Sequence, residues 1–120
     1  MNSTELGQIA ERWIAAFNQH DLEGLLALYN EEAEHYSPKL KLLRPETMGY
    51  IKGKQALRLW WRDAFDRLPS LHYRLLQLTP YENRIFMEYV REVVGEEGLQ
   101  VGELLVVENN LIIASRVYHS

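Results

Sequence analysis

The sequence predicts an α+β class, with three N-terminal helices packed on a sheet of four long strands plus one short strand. Two observations carry this. Before residue 70, apolar side chains recur at spacings of three and four, the period of an amphipathic helix. After Pro69 the period falls to two, and four such runs are separated by short stretches of turn residues. Successive strands with short connections make an antiparallel meander, and the helices must then cover one of its faces.

The first helix carries Leu6, Ile9, Ala10, Trp13, Ile14 and Phe17 on one stripe, and Asn2, Ser3 or Thr4 can cap its start. Asp21 can cap a second, short helix bearing Leu22, Leu25, Leu26 and Tyr29. A short strand is expected over 33–37, ended by Pro38, followed by a loop over 39–52 that holds Pro45 and Gly49. The third helix opens near Gly53, presents Leu57, Trp60, Trp61, Ala64, Phe65 and Leu68, and stops at Pro69. The four strands are expected over 71–78, 84–94, 99–107 and 111–119, with turns at 79–83, 95–98 and 108–110.

Composition bounds what this domain does. A chain of 120 residues, 47% apolar and 25% charged, is expected to form one globular domain. Three Trp, seven Tyr and three Phe give it the means to build a core. Net charge is −4, which argues against a nucleic-acid partner and does not favour an anionic membrane. No apolar run approaches the roughly 18 to 20 residues of a membrane span. The polar N-terminal stretch lacks the features of a signal peptide, so a cytoplasmic location is expected. With no cysteine there is no disulfide or thiolate chemistry. No two histidines have a metal-ligand spacing, so neither a metal nor another cofactor is expected.

Several segments together resemble a known fold family. They are Trp13-Ile14-Ala15-Ala16-Phe17-Asn18, then His20-Asp21-Leu22-Glu23-Gly24-Leu25 and Leu28-Tyr29. Glu34-His35-Tyr36-Ser37-Pro38, Gly53-Lys54-Gln55-Ala56-Leu57 and Ile112-Ile113-Ala114-Ser115-Arg116-Val117-Tyr118 follow. In this order they resemble the nuclear transport factor two-like superfamily, which includes ketosteroid isomerases and SnoaL-like polyketide cyclases. The resemblance implies a cone-shaped barrel, a pocket between the helices and the concave face of a curved antiparallel sheet, and a homodimer through the other face. It spans nearly the whole chain and speaks for fold more than for function, because this fold hosts many chemistries.

The resemblance also sets family positions on residues. The oxyanion-holding tyrosine of ketosteroid isomerases falls at Trp13, the general-base aspartate at Ser37, and the second oxyanion donor at Glu103. An indole N–H can donate one hydrogen bond but is no acid, and a serine is no base at neutral pH. Only Glu103 keeps the chemistry, so the steroid-isomerase mechanism is not expected. The Arg-x-Asp pattern of limonene epoxide hydrolases is missing too, since Val93 stands two residues after Arg91.

Strand pairing sorts the remaining candidates by face. A hairpin centred on Glu96-Glu97 pairs residues whose numbers sum to about 193, setting Val90 opposite Glu103. A three-residue turn at 108–110 sets Glu103 opposite Ser115. One face then holds Phe86, Glu88, Val90, Val101, Glu103, Leu105, Ile113, Ser115, Val117 and His119; the resemblance turns it inward. The other, with Met87, Tyr89, Arg91, Leu104, Val106, Arg116 and Tyr118, suits a dimer interface. A slip of one residue would exchange the faces.

Glu103 and His35 are the candidate catalytic pair. Glu103 lies among valines and leucines, where burial raises a carboxyl pKa, unless Arg116, Trp13 or a water satisfies it. Glu88 would share its face. Imidazole suits proton transfer near neutrality, and His35 shares strand parity with Ser37, so both are expected inward. Trp13, Phe17, Tyr29, Trp60 and Phe65, with Ser37, Glu88, Ser115 and His119, complete the expected ligand-binding set. Trp60 and Trp61 are about 100° apart on a helix, so one is expected to line the cavity and the other to cover an edge. His20 and His72 are expected to be structural or surface residues.

An apolar, aromatic wall with a carboxyl and an imidazole fits a small hydrophobic ligand. It fits a cofactor-independent isomerase, cyclase or hydratase using Glu103 with His35. The alternatives are a domain that binds such a ligand without chemistry, or a dimeric interaction module.

Overall fold

The computed structural model describes residues 2–119. Helix α1, Ser3–Asn18, starts at a capping box: Asn2 Oδ1 accepts from the Glu5 amide at 2.8 Å, and the Glu5 carboxylate reaches back to the Asn2 amide. Its buried stripe is Leu6, Ile9, Ala10, Trp13 and Phe17. His20 takes a left-handed φ of 52° and turns the chain. Asp21 then caps α2, Leu22–Leu26, by accepting from the Gly24 amide at 3.0 Å.

Strand β1 runs over Tyr29–Tyr36, four residues earlier than the alternation indicates, and Tyr29 belongs to it rather than to α2. The cause is an irregularity between Tyr29 and Glu34, which leaves Glu31 and Glu32 exposed and breaks the period of two. The expected loop over 39–52 is instead a helix α3, Pro38–Leu43, a 3₁₀ turn at Pro45–Thr47 and a strand β2, Tyr50–Lys52. Pro38 opens α3 because the first helical position needs no amide donor. Gly49, at φ +82°, turns the chain so that its carbonyl accepts from the Ser37 amide at 3.0 Å. Helix α4, Lys54–Arg67, follows Gly53 and ends before Pro69. The described residues thus hold four α-helices rather than three.

Strands β3 (His72–Tyr81), β4 (Arg84–Glu92), β5 (Leu99–Glu108) and β6 (Leu111–Tyr118) complete a six-stranded, curved, unclosed sheet in the order β2-β1-β6-β5-β4-β3. The sheet is not antiparallel throughout: β1 runs parallel to β6, while every other neighbouring pair is antiparallel. Helices α1 and α4 cover its concave face, giving the cone-like form of nuclear transport factor two-like domains.

The β4–β5 register corrects the expected faces. Met87 lies opposite Glu103 and Tyr89 opposite Val101, so the numbers sum to 190 rather than 193. Gly95, at φ +87°, takes the turn position that the Glu96-Glu97 hairpin would have held. An odd displacement reverses every side chain of β4 relative to β5. Ile85, Met87 and Tyr89 are therefore buried with Val101, Glu103 and Leu105, while Glu88 turns to the exposed face. Met87, Tyr89 and Arg91 leave the set assigned to a dimer interface, and Phe86, Glu88 and Val90 leave the inward set.

The β5–β6 register moves by two and keeps its parity. Glu103 faces Val117, and Leu105 faces Ser115. Asn109 and Asn110, both at left-handed φ, make a two-residue turn in place of the expected three. An irregularity between Val106 and Val107 then buries Ile112 rather than Ile113.

Candidate functional site

Between α1, α3, α4 and the concave sheet face lies a cavity of about 240 Å³. Ligand pockets run from roughly 300 to 1,000 Å³, so this one suits a small occupant. An aromatic stack forms one side. Phe17 packs on Tyr73 at 4.0 Å between ring centroids, Tyr73 packs on Tyr89 at 4.1 Å, and Trp13 lies against Phe17 at 5.2 Å. Trp60 and Trp61 of α4 close the opposite side, and both are buried. The expectation that only one of them lines the cavity fails because α4 is buried over a wide arc, from Leu57 through Trp60, Trp61 and Ala64 to Phe65.

Glu103 stands in this wall at 1% exposure. The Tyr89 hydroxyl donates to its Oε1 at 2.8 Å, and Oε2 has no hydrogen-bond partner among the described residues. Burial pushes its carboxyl up to about 7, and the Tyr89 hydrogen bond opposes part of the rise. Its partner is thus neither Arg116 nor Trp13. Arg116 is exposed and lies over the Tyr36 ring at 4.6 Å. Burial, and after it the negative charge of Glu103, pushes the Tyr73 and Tyr89 hydroxyls above their ordinary range.

His35 is on the same cavity wall at 2% exposure. Its Nδ1 lies 2.6 Å from Ser115 Oγ, and Trp61 meets the ring edge-on at 5.5 Å. Burial holds the imidazole down to about 4, so it is neutral at pH 7. Ser115 in turn lies 3.0 Å from the Tyr29 hydroxyl, and the Trp13 indole N–H donates to that hydroxyl at 3.0 Å.

The mouth is of different character. Leu42 and Leu43 of α3 are 72% and 50% exposed, yet both line the opening. Lys39, Arg67 and Arg91 stand around it, and Arg91 donates to Glu96 at 2.8 Å. That pairing holds the Glu96 carboxyl below its usual range.

The sequence-selected residues divide by position. Glu103, His35, Trp13, Phe17, Ser37, Trp60 and His119 line one cavity. Tyr29 and Ser115 are fully buried behind the wall and reach it through His35 and Trp13. Phe65 packs edge-on against Phe17 at 5.1 Å and stacks on His20 at 4.4 Å, outside the cavity lining. Glu88 is on the opposite face and has no part in this site. His20 is no bare surface residue, since its Nε2 lies 2.7 Å from the Leu71 carbonyl.

Reasoning from sequence missed Trp61, Tyr73, Tyr89, Arg91 and the two leucines of α3. Only Trp61 carried a usable signal, its adjacency to Trp60 on a helix buried all along one side. Among the described residues no group of three or more His, Asp or Glu side chains could hold a metal ion.

A family model for the SnoaL-like domain matches residues 10–113, from α1 to β6. The chain belongs to the SnoaL-like domain family. Solved structures agree on the fold. A SnoaL-like protein of unknown function from Burkholderia thailandensis superposes with a TM-score of 0.89 at 21% identity, covering 100% of this chain and 98% of that one. A nuclear transport factor two-like protein of unknown function from Cytophaga hutchinsonii gives 0.72 at 16%, covering 93% and 87%. A Catenulispora acidiphila protein with a ketosteroid isomerase-like fold, solved with trimethylamine, gives 0.74 at 15%, covering 93% and 85%. No curated protein sequence matches this SnoaL-like domain. No helix of its described residues is long and apolar enough to cross a membrane.

Proposed function

We propose that this SnoaL-like domain binds a small, mostly apolar molecule bearing a carbonyl group and moves a proton on it, with Glu103 as acid and base. One observation carries the reading. A carboxyl group in the wall of an aromatic cavity has one oxygen held by Tyr89, the other without a hydrogen-bond partner among the described residues, and a pKa pushed up to about 7. Such a group is present in both forms at neutral pH, which is what a proton shuttle requires.

In the step proposed, ionised Glu103 takes a proton from the carbon next to the carbonyl. The C–H electron pair becomes the new C=C bond, and the carbonyl oxygen gains the negative charge. Protonated Glu103 then returns a proton to the same or another carbon. Isomerisation is this step alone; in cyclisation the C=C pair instead attacks a second carbonyl carbon of the ligand, whose C=O pair moves to oxygen and takes the proton from Glu103, and neither calls for a cofactor. The Tyr89 hydroxyl favours the ionised form, while burial favours the protonated one, and the two together set the working range. His35 is neutral at pH 7 and stands beside the reacting group as a hydrogen-bonding partner rather than a charged acid.

The test uses hydrogen exchange rather than a guessed reaction. A panel of small cyclic and aryl ketones is incubated with the protein in D2O, and loss of the proton next to the carbonyl is followed by NMR. The wild type is expected to speed exchange of at least one compound, and Glu103→Gln to remove that acceleration. Equal exchange by the two proteins would overturn the assignment of Glu103. Ligand-induced thermal stabilisation without exchange would favour a binding domain, a reading supported by Ser37 at the family's base position.

A further inference from the structure

We infer that a hydrogen-bond relay running Trp13, Tyr29, Ser115 holds His35 as its Nε2–H tautomer, so that the cavity presents a fixed neutral donor to a carbonyl-type oxygen of the ligand. The inference deepens the proposed function and rests on its assignment of the cavity as the ligand site.

The argument is a count of hydrogens. The Trp13 indole nitrogen can only donate, and it donates to the Tyr29 oxygen at 3.0 Å. Tyr29 has one hydrogen of its own, and its other partner is Ser115 Oγ at 3.0 Å. That hydrogen therefore goes to Ser115. Ser115 Oγ, now an acceptor from Tyr29, has one hydrogen left and one remaining partner, His35 Nδ1 at 2.6 Å. Nδ1 must accept it. The opposite direction, with Nδ1–H donating to Ser115 and Ser115 to Tyr29, leaves the Tyr29 hydrogen with no acceptor in a fully buried site; with Tyr29 and Nδ1–H both donating to the two lone pairs of Ser115 Oγ, the Ser115 hydrogen has no acceptor among the described residues.

A neutral ring carries one N–H, and burial keeps this ring neutral at pH 7. With Nδ1 accepting, the hydrogen is on Nε2. Ser115 lies behind the wall while His35 lines the cavity, so Nε2 is the nitrogen left for an occupant. An N–H fixed in a dry site and aimed at an oxygen costs no reorganisation when charge develops there. Tyr29 and Ser115 are then positioning residues, distinct in role from Glu103. The ligand class follows: an apolar body whose acceptor oxygen meets His35 Nε2–H while the adjacent carbon meets Glu103.

Nitrogen-15 NMR of histidine-labelled protein at pH 7 reads the tautomer directly. The wild type is expected to show a protonated Nε2 and a bare Nδ1 at His35. A protonated Nδ1, or an imidazolium, overturns the relay. Ser115→Ala is expected to lose the single tautomer. An unchanged Nε2–H form in Ser115→Ala would likewise overturn it. Saturating cyclohexanone is expected to shift the Nε2–H signal and methylenecyclohexane to leave it in place; equal responses overturn the ligand class. The tautomer needs no turnover to be read, so failure of the relay and failure of the exchange reaction are distinguishable.

Discussion

Tyr89 donates its hydroxyl to Oε1 of Glu103 at 2.8 Å, from the residue on β4 two places beyond the one paired with Glu103. The bond favours the charged form of this carboxyl, against the burial that disfavours it. Two predictions start here.

Glu103→Gln keeps the shape of the side chain and removes its proton chemistry. Acceleration of ketone hydrogen exchange is expected to fall at least about 100-fold, the usual contribution of a positioned acid or base. Binding of the same ketone, followed by thermal shift, is expected to persist. Exchange within a few-fold of wild type would exclude Glu103 from the proton-transfer step.

Tyr89→Phe deletes the stabilising donor and leaves the burial in place. Hydrogen bonds to a charged group are worth about 1.5–3 kcal/mol, so the Glu103 midpoint is expected to rise by roughly one to two pH units above about 7. Carboxyl carbon-13 NMR reads the midpoint. A midpoint that stays or falls would show that another group sets the charge of Glu103.

These two residues also mark where the sequence could and could not be read. The stripes of α1 and α4 were plain, because helical spacing is local and Asn2, Asp21 and Pro69 punctuate it. Glu103 was plain as a lone acid in an apolar strand at a family position. Tyr89 was invisible as its partner, because register depends on which residue takes the turn. Gly95 took it, and that moved Glu88 out of the site and Tyr89 into it. Strand β1 was half hidden because its irregularity breaks the alternation that identifies a strand. Helix α3 reads as loop because six residues behind a proline are too few to show a period.

Helix α3 yields a prediction about entry. Leu42 and Leu43 are exposed and at the mouth, so they stabilise the free protein little. Contact with a bound ligand would shield each by up to about 1 kcal/mol of apolar burial. The double variant Leu42→Ser, Leu43→Ser is expected to unfold at nearly the wild-type temperature and to bind a stabilising ketone about tenfold more weakly. Titration calorimetry measures the difference. An unchanged Kd would mean that the ligand sits wholly below α3.

The two buried titratable groups of the cavity oppose each other in stability. Glu103 has an ordinary value of 4.5 and is raised to about 7, so between those limits the folded state holds a proton that the unfolded state has released. Stability from Glu103 is full below pH 4.5 and is lost as pH rises to about 7. His35 has an ordinary value of 6.5 and is lowered to about 4, so between those limits the unfolded state holds the extra proton. Stability from His35 is full above pH 6.5 and is lost as pH falls to about 4. Each slope is about 1.4 kcal/mol per pH unit, and their signs differ. Their shared window runs from 4.5 to 6.5, and there the wild type is expected to be nearly flat. Glu96, held low by Arg91, acts only at the acid edge of this range. Glu103→Gln leaves His35 alone, and stability is expected to rise with pH by about 2 kcal/mol across the two-unit window. His35→Asn leaves Glu103 alone, and stability is expected to fall by a similar amount. Urea unfolding at pH 4.5, 5.5 and 6.5 measures all three curves. Parallel curves for the three proteins would mean that neither group is buried in the state of protonation assigned to it.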